Sequence, residues 1–380
     1  MKYSMVIVPE THWDREWYLP WCGFRNKLVQ MTDKLLKILE TDPEFKNFTF
    51  DGQTVVLEDY LEARPKNRPL LEKYVKDGRI SVGPFYILPD EFLVSGEALV
   101  RNLMLGHEIA GEFGRVMKAG YVPDPFGHVA QMPQIVAGFG ITNFLFARGF
   151  GNEYEEQGLK MDFEWQAPGN AASVLGIHLI QGYGNLANIS TQTDETGMYV
   201  QAHMRIAYTL EQLKKHAATR WILLNNGSDH LFAQPEIPEI IRQWNENNDD
   251  SEIINADFEY YANQVLAEQP ALVPFQGELR GGKYQELLSG TFSARMWIKQ
   301  VNACCETLYE KYTEPAAALA SVLAGVEYPR DYIWMGWRWL LRNHPHDSIC
   351  GCSQDQVHEE MRTRFAWAEQ IGLEIYKDSL

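Results

Sequence analysis

Long apolar runs are missing from this chain. No stretch reaches the eighteen or so uncharged residues of a membrane span, which argues against a spanning role. Positive charge is also in short supply: 34 Lys and Arg stand against 51 Asp and Glu, for a net charge of −17. That balance argues against nucleic acid or an anionic membrane surface as partner, without naming another. Cysteine is scarce and odd in number, with Cys22, the pair Cys304 and Cys305, and Cys350 beside Cys352. These five do not make a disulfide framework, and they predict a reducing, cytoplasmic setting. Cys350-Gly351-Cys352 lacks the second thiol pair of a metal knuckle and reads as packed or incidental thiols. The first residues carry one Lys and then enter a strand, with no apolar leader or small-residue cleavage site. Internal repeats and low-complexity tracts are absent too.

Aromatic residues, by contrast, are plentiful at 12%, with 11 Trp. Most must be core, but indole faces suit the apolar faces of sugar rings, so the composition leans towards carbohydrate. A chain of 380 residues with 45% hydrophobic content buries a substantial core and exceeds one typical domain.

Strand-like and helix-like segments alternate as in βαβ units. Strands are expected at residues 3–8, 48–51, 79–86, 119–122, 143–147, 173–180 and 221–224. Helices are expected at 26–39, 68–76, 96–117, 129–138, 200–216 and 236–245. The pattern changes near residue 285, where 287–312, 316–323, 332–342 and 353–376 carry helical spacing, with loops at 271–282 and 325–330. The fold class is therefore α/β, a mostly parallel sheet flanked by helices and followed by a three- to four-helix bundle. The expected division is a catalytic α/β domain over 1–270 and the bundle over 271–380.

Four polar clusters lie at strand or helix ends, and ligands in open α/β sheets bind outside the carboxyl ends of strands. The first follows the apolar Met5-Val6-Ile7-Val8 and reads His12-Trp13-Asp14-Arg15-Glu16-Trp17-Tyr18. A His-x-Asp pair can place a nitrogen and an oxygen on one small cation; an aromatic loop with a capping Asp is the plain alternative. The second is Pro123-Asp124-Pro125-Phe126-Gly127-His128, where prolines stiffen the carboxylate's backbone, though taken alone a Pro-initiated turn explains it better. The third, Asn225-Asn226-Gly227-Ser228-Asp229-His230, also reads as a polar turn after a buried strand. The fourth, Asn343-His344-Pro345-His346-Asp347-Ser348, offers metal ligands beside a carboxylate, or histidines that complement a helix dipole.

Together the clusters resemble the catalytic region of the glycoside hydrolase family 38 α-mannosidases, most of all the bacterial branch. The matching segments run in the family's order across nearly the whole chain: residues 12–18, 124–128, Gly227-Ser228-Asp229, and His346-Asp347-Ser348-Ile349-Cys350-Gly351. The resemblance implies a zinc-dependent retaining enzyme, one Zn2+ per chain. It implies that His12, Asp14, Asp124 and His346 bind the ion, that Asp124 is the nucleophile, and that Asp229 is the acid/base. Trp17, Phe126, Arg148 and Asp347 match residues around the sugar. Gly277-Glu278-Leu279-Arg280 is a further similar segment, with no role assigned.

The chemistry is coherent. Zinc would grip vicinal sugar hydroxyls, Asp124 would attack the anomeric carbon, and Asp229 would protonate the leaving oxygen, retaining configuration. The expected partner is an α-mannoside oligosaccharide or a small mannosylated solute, with self-association into a homo-oligomer left open. Two rivals stand beside this reading: a zinc-dependent carbohydrate hydrolase or deacetylase using metal-activated water, and a non-catalytic sugar-binding fragment. Family members usually continue into β-rich domains, whereas this sequence stops at Leu380. A chain lacking those domains is expected to bind zinc and to hydrolyse less well.

Overall fold

The computed structural model describes residues 2–380. Its strands are β1 (Tyr3–Pro9), β2 (Phe48–Phe50), β3 (Ile80–Val82), β4 (Gly120–Tyr121), β5 (Asn143–Phe146), β6 (Asp162–Gln166), β7 (Ser173–His178), β8 (Trp221–Asn226), β9 (Ser251–Asn255) and β10 (Pro274–Gln276). They form three sheets, ordered β8-β1-β9, β2-β3 and β10-β6-β7-β5-β4. All pairings are parallel except β6 with β7. The expected mostly parallel α/β arrangement is thus present, divided among three sheets and with one antiparallel pairing.

Parallel strands covered on both sides must be apolar throughout, and Met5, Val6, Ile7 and Val8 are fully buried. Val6 and Val8 share one apolar cluster with Leu223 of β8, Tyr121 of β4, Leu145 of β5 and Ile177 of β7. The sheets therefore face one another across a common core, and within the five-stranded sheet β6 and β10 run opposite to β4, β5 and β7. The long helices Trp21–Thr41 and Gly96–Glu112 bury apolar stripes against the outer faces.

Two expected helices differ in extent. The one at 129–138 covers Met132–Ala137, because Pro133 fits only the first turn. The one at 287–312 begins at Met296, after a short 3-10 turn, Ser289–Ser293. There Thr291 Oγ1 donates to Leu288 O (2.8 Å) and Ser293 Oγ to Gly290 O (3.2 Å). Such local bonds compete with a helical ladder.

The carboxyl-terminal region is helical. Met296–Thr307 passes through a π turn, Leu308–Thr313, into Glu314–Ala324, and Arg330–Leu341 and Asp355–Asp378 pack against it. The widened turn carries Tyr309, whose hydroxyl donates to Ala368 O (2.7 Å), and Thr313, which donates to Gly372 O (3.0 Å). Among the described residues no helix is long and apolar enough to cross a membrane. All five cysteines are free.

One buried carboxyl gives a stability test away from the strand ends. Burial pushes Asp162 up to about 6, although Tyr261 donates to it (3.0 Å). A carboxyl raised in the folded state takes up protons on folding, so its ionisation removes stability as pH rises from about 4 to about 6. Two pKa units correspond to about 3 kcal/mol at most. Asp162→Asn, which keeps an acceptor for Tyr261, is expected to be more stable than wild type at pH 8 and not at pH 4. Urea melts at both values check this; equal shifts would contradict it.

Candidate metal centre and active site

The parallel pairing of β1 with β8 carries past the strand ends. His12 N donates to Ser228 O (3.2 Å), His230 N donates to His12 O (2.8 Å), and His12 pairs with Asp229. Neighbouring strand ends thus set the first and third clusters side by side. On the other flank, Glu10 pairs with Thr49 and brings Asp51, just beyond β2, against the His12 ring. Asp51 Oδ2 lies 3.1 Å from His12 Nδ1 and accepts from Trp13 N and Gln53 Nε2, both at 2.9 Å. A carboxylate on Nδ1 fixes the tautomer and leaves Nε2 free to bind a cation.

His12 Nε2 lies 3.1 Å from Asp14 Oδ1, yet both atoms are buried and neither has a hydrogen-bond partner. Two electron-rich atoms that approach without bonding to each other fit ligands that share a third atom. His346, at the start of the short helix His346–Ile349, puts its Nε2 3.5 Å from the same Asp14 oxygen. Donor atoms of His12, Asp14 and His346 all fall within 4.8 Å of one another. Asp124, after β4, lies outside that trio but touches it, Oδ2 being 3.1 Å from His346 Nε2. Two imidazoles and two carboxylates are a donor set suited to a divalent ion such as zinc.

Asp124 Oδ1 accepts from Arg148 Nε (2.9 Å) and Nη2 (2.8 Å). Burial alone would raise this carboxyl, but the bond and charge of His346, and then Arg148, hold it well below the ordinary range. Asp229 Oδ1 accepts from Tyr183 OH (2.9 Å). Burial, and then the Asp124 and Asp229 charges, keep that phenol protonated, so it is a fixed donor. The Tyr183 ring meets His12 edge-on at 5.2 Å.

The remaining expected sugar residues are placed as follows. Phe126 is buried, edge-on to His346 (5.6 Å) and beneath the Arg148 guanidinium. Asp347 is buried, with Cys352 Sγ donating to it (3.1 Å), and burial pushes it up to about 7. Trp17 is half-buried, packs on Tyr18 (5.0 Å), and its carbonyl accepts from Gln354 N (3.1 Å). His344 turns away: its Nε2 lies 2.8 Å from Asn302 Oδ1 inside the helical region. His128 likewise stays out of the centre, paired with Glu91 (2.8 Å).

Sequence reasoning missed three supports. Asp51 stood in a visible Asp51-Gly52-Gln53 turn. Tyr183 carries only the faint signal of its flanking glycines. The third is Glu16, whose carboxylate accepts from both Arg364 terminal nitrogens (2.8 Å for Nη1) and from Ser348 Oγ (2.7 Å). Arg364 also donates to Asn343 Oδ1 (2.8 Å). This buried group ties the loop bearing Asp14 to the loop bearing His346.

Burial opposes a charge on His346, but Asp347 and Asp124 push it up to about 9 when no ion is bound. A ligating imidazole must be neutral, so a divalent ion has to displace that proton. Between pH 6 and 8, binding is expected to release at least one proton, and affinity to rise about tenfold per pH unit. Calorimetric titration of metal-free protein in buffers of differing ionisation heat counts the protons. Release of none would remove His346 from the ligand set.

The comparisons with known proteins place the chain in a family. The model of the glycosyl hydrolases family 38 N-terminal domain matches residues 2–278, and that of the alpha mannosidase middle domain matches 286–380. The "Putative mannosylglycerate hydrolase" of Halalkalibacterium halodurans is 39% identical over 97% of this chain and 41% of its own length. Human "Alpha-mannosidase 2C1" is 25% identical, over 94% of this chain and 33% of its own. The crystal structure of an alpha-mannosidase from Enterococcus faecalis V583 superposes with a TM-score of 0.92 at 36% identity, covering all of this chain and 42% of that one. The chain thus spans about two fifths or less of the length of these relatives.

Proposed function

The chain belongs to glycosyl hydrolase family 38, and from that premise we propose that it is a zinc-assisted retaining α-mannosidase. The observation that carries the reading is the meeting of His12, Asp14 and His346, with Asp124 against them. Those four would hold zinc, which would bind sugar hydroxyls and offset negative charge in the pocket.

The chain's own groups divide the remaining work. Asp124 attacks the anomeric carbon and forms a glycosyl-enzyme; its ionised state is maintained by Arg148 and His346. Asp229 protonates the departing oxygen and later takes a proton from water. Tyr183 occupies Asp229 Oδ1, leaving Oδ2 for that transfer. Asp347, Phe126 and Trp17 bound the mannose. Arg148 holds the Asp124 carboxylate in place through two hydrogen bonds to Oδ1, which limits the orientations open to the nucleophile.

The relatives' names point to an α-mannoside, and one of them names glycerate as the leaving group. The division at 270/271 belongs to the same reading, with the helical part supplying His346. The free thiols support a cytoplasmic setting.

Trapping tests the mechanism. A fluorinated mannosyl donor with a good leaving group is expected to label the peptide containing Asp124, and proton NMR to record α-mannose as the first product. β-Mannose first, or turnover with no trapped ester, would favour metal-activated water instead.

A further inference from the structure

We propose that the cleft between the Gly182–Gly184 turn and the segment 279–286 receives the leaving group and selects a small, neutral, hydroxyl-bearing aglycone. The inference rests on the mannosidase reading above. The cleft holds about 380 Å³ and is lined by Arg148, Gln181, Tyr183, Ser228, Gln285 and Glu286, among others. Volumes of that order suit one sugar ring or a smaller polyol.

Its position follows from the two carboxylates. Arg148, on its floor, is bonded to Asp124, and Tyr183, on its wall, is bonded to Asp229. Ser228 immediately precedes Asp229. An acid that protonates the leaving oxygen must face the leaving group. The space beside Tyr183 and Ser228 is where that group projects.

The far wall is a strap lashed to the α/β part. Leu279 exchanges backbone hydrogen bonds with His128 (2.9 Å each), Gly281 N donates to Gly149 O (2.7 Å), and Lys283 N donates to Phe150 O (3.0 Å). Gly281 has to be glycine, because a Cβ there would strike the backbone of Gly151. Beyond these ties, Arg148 Nη1 donates to Glu286 O. The strap therefore delivers Gln285 to a fixed place.

Gln285 is half-buried, and its Nε2 lies where a side chain on Gly182 (φ +77°) would have to go. Its Oε1 is buried with no hydrogen-bond partner. That oxygen is closed to solvent, so the group an aglycone hydroxyl would meet in the cleft is the amide nitrogen over Gly182, which is free to donate. Charge is the other half of the argument. Arg148 is committed to Asp124 and the Glu286 carbonyl, Glu286 adds an exposed carboxylate, and no other cation lines the cleft. A carboxylate on the aglycone gains nothing there.

The test compares wild type with Gln285→Leu on α-mannobiose, α-mannosylglycerol, α-mannosylglycerate and α-mannosyl fluoride. Wild type is expected to show a kcat/KM at least tenfold higher for the neutral pair than for mannosylglycerate. Gln285→Leu is expected to lose roughly tenfold on mannobiose and mannosylglycerol, against no more than about twofold on the fluoride, whose leaving group is too small to reach the strap. A preference for mannosylglycerate, equal losses on fluoride and mannobiose, or no loss on either would overturn the cleft assignment. Failure of wild type to hydrolyse mannosyl fluoride would overturn the mannosidase reading, and the cleft assignment with it.

Discussion

Asp124→Asn is expected to reduce kcat for an aryl α-mannoside by a factor on the order of 10⁴–10⁶, the scale on which a lost nucleophile registers. Asp124 is also a proposed ligand, so metal content must be measured on the same preparation. The distinguishing readout is chemical. In the smaller variant Asp124→Gly, azide should partly restore turnover and give β-mannosyl azide, because it enters through the space the carboxylate has vacated. Asp229→Ala should behave differently: it keeps activity on substrates whose leaving groups need no proton, and azide then gives the α-azide from the intact glycosyl-enzyme. Near-normal turnover by Asp124→Asn, or α-azide from Asp124→Gly, would mean that another group makes the attack.

The second large effect is on stability. Glu16 and Arg364 are both buried, and they bond each other through two parallel N–H···O contacts. Burial pushes the Glu16 carboxyl up, and the Arg364 charge and hydrogen bonds more than reverse this, so it is held low. Removing one partner strands the other charge without solvent. Arg364→Met is expected to cost about 3–5 kcal/mol, whereas the double variant Glu16→Leu/Arg364→Met should recover much of that. Denaturant melts of the three proteins check the order. A double variant no better than Arg364→Met would mean that packing rather than uncompensated charge sets the cost. A lowered metal affinity in Arg364→Met is expected as well, because Glu16 also holds Ser348, two residues from His346.

How far the sequence could be read depends on whether the signal is local. β1 and β8 are continuous apolar runs that end in clusters of polar residues, so both the strands and the chemistry at their ends are visible. Helix Arg68–Lys76 has a clean amphipathic stripe and falls at the expected residues. β9 and β6 were not visible, because Ser251 and Glu252, or Asp162 and Glu164, break the apolar pattern. Helix Val55–Ala63 was also missed, packed against Trp21–Thr41 in the interior. Within the site, His12, Asp14, Asp124, Asp229 and His346 stand in recognisable motifs. Asp51 does not, because its meaning lies in a neighbour from another strand. Glu16 sat inside the first motif, but its partner is 348 residues away, a pairing that no window along the chain can reveal.

That separation has a consequence for biosynthesis. While the chain is being made, His12 and Asp14 leave the ribosome long before His346 and Arg364 exist. The nascent protein can fold much of its sheet core but cannot assemble the ion's seat. On the proposed ligand set, an ion would gain its full complement of donors only after His346 has emerged, and a ribosome stalled before helix Asp355–Asp378 would display a domain that is structured and empty-handed.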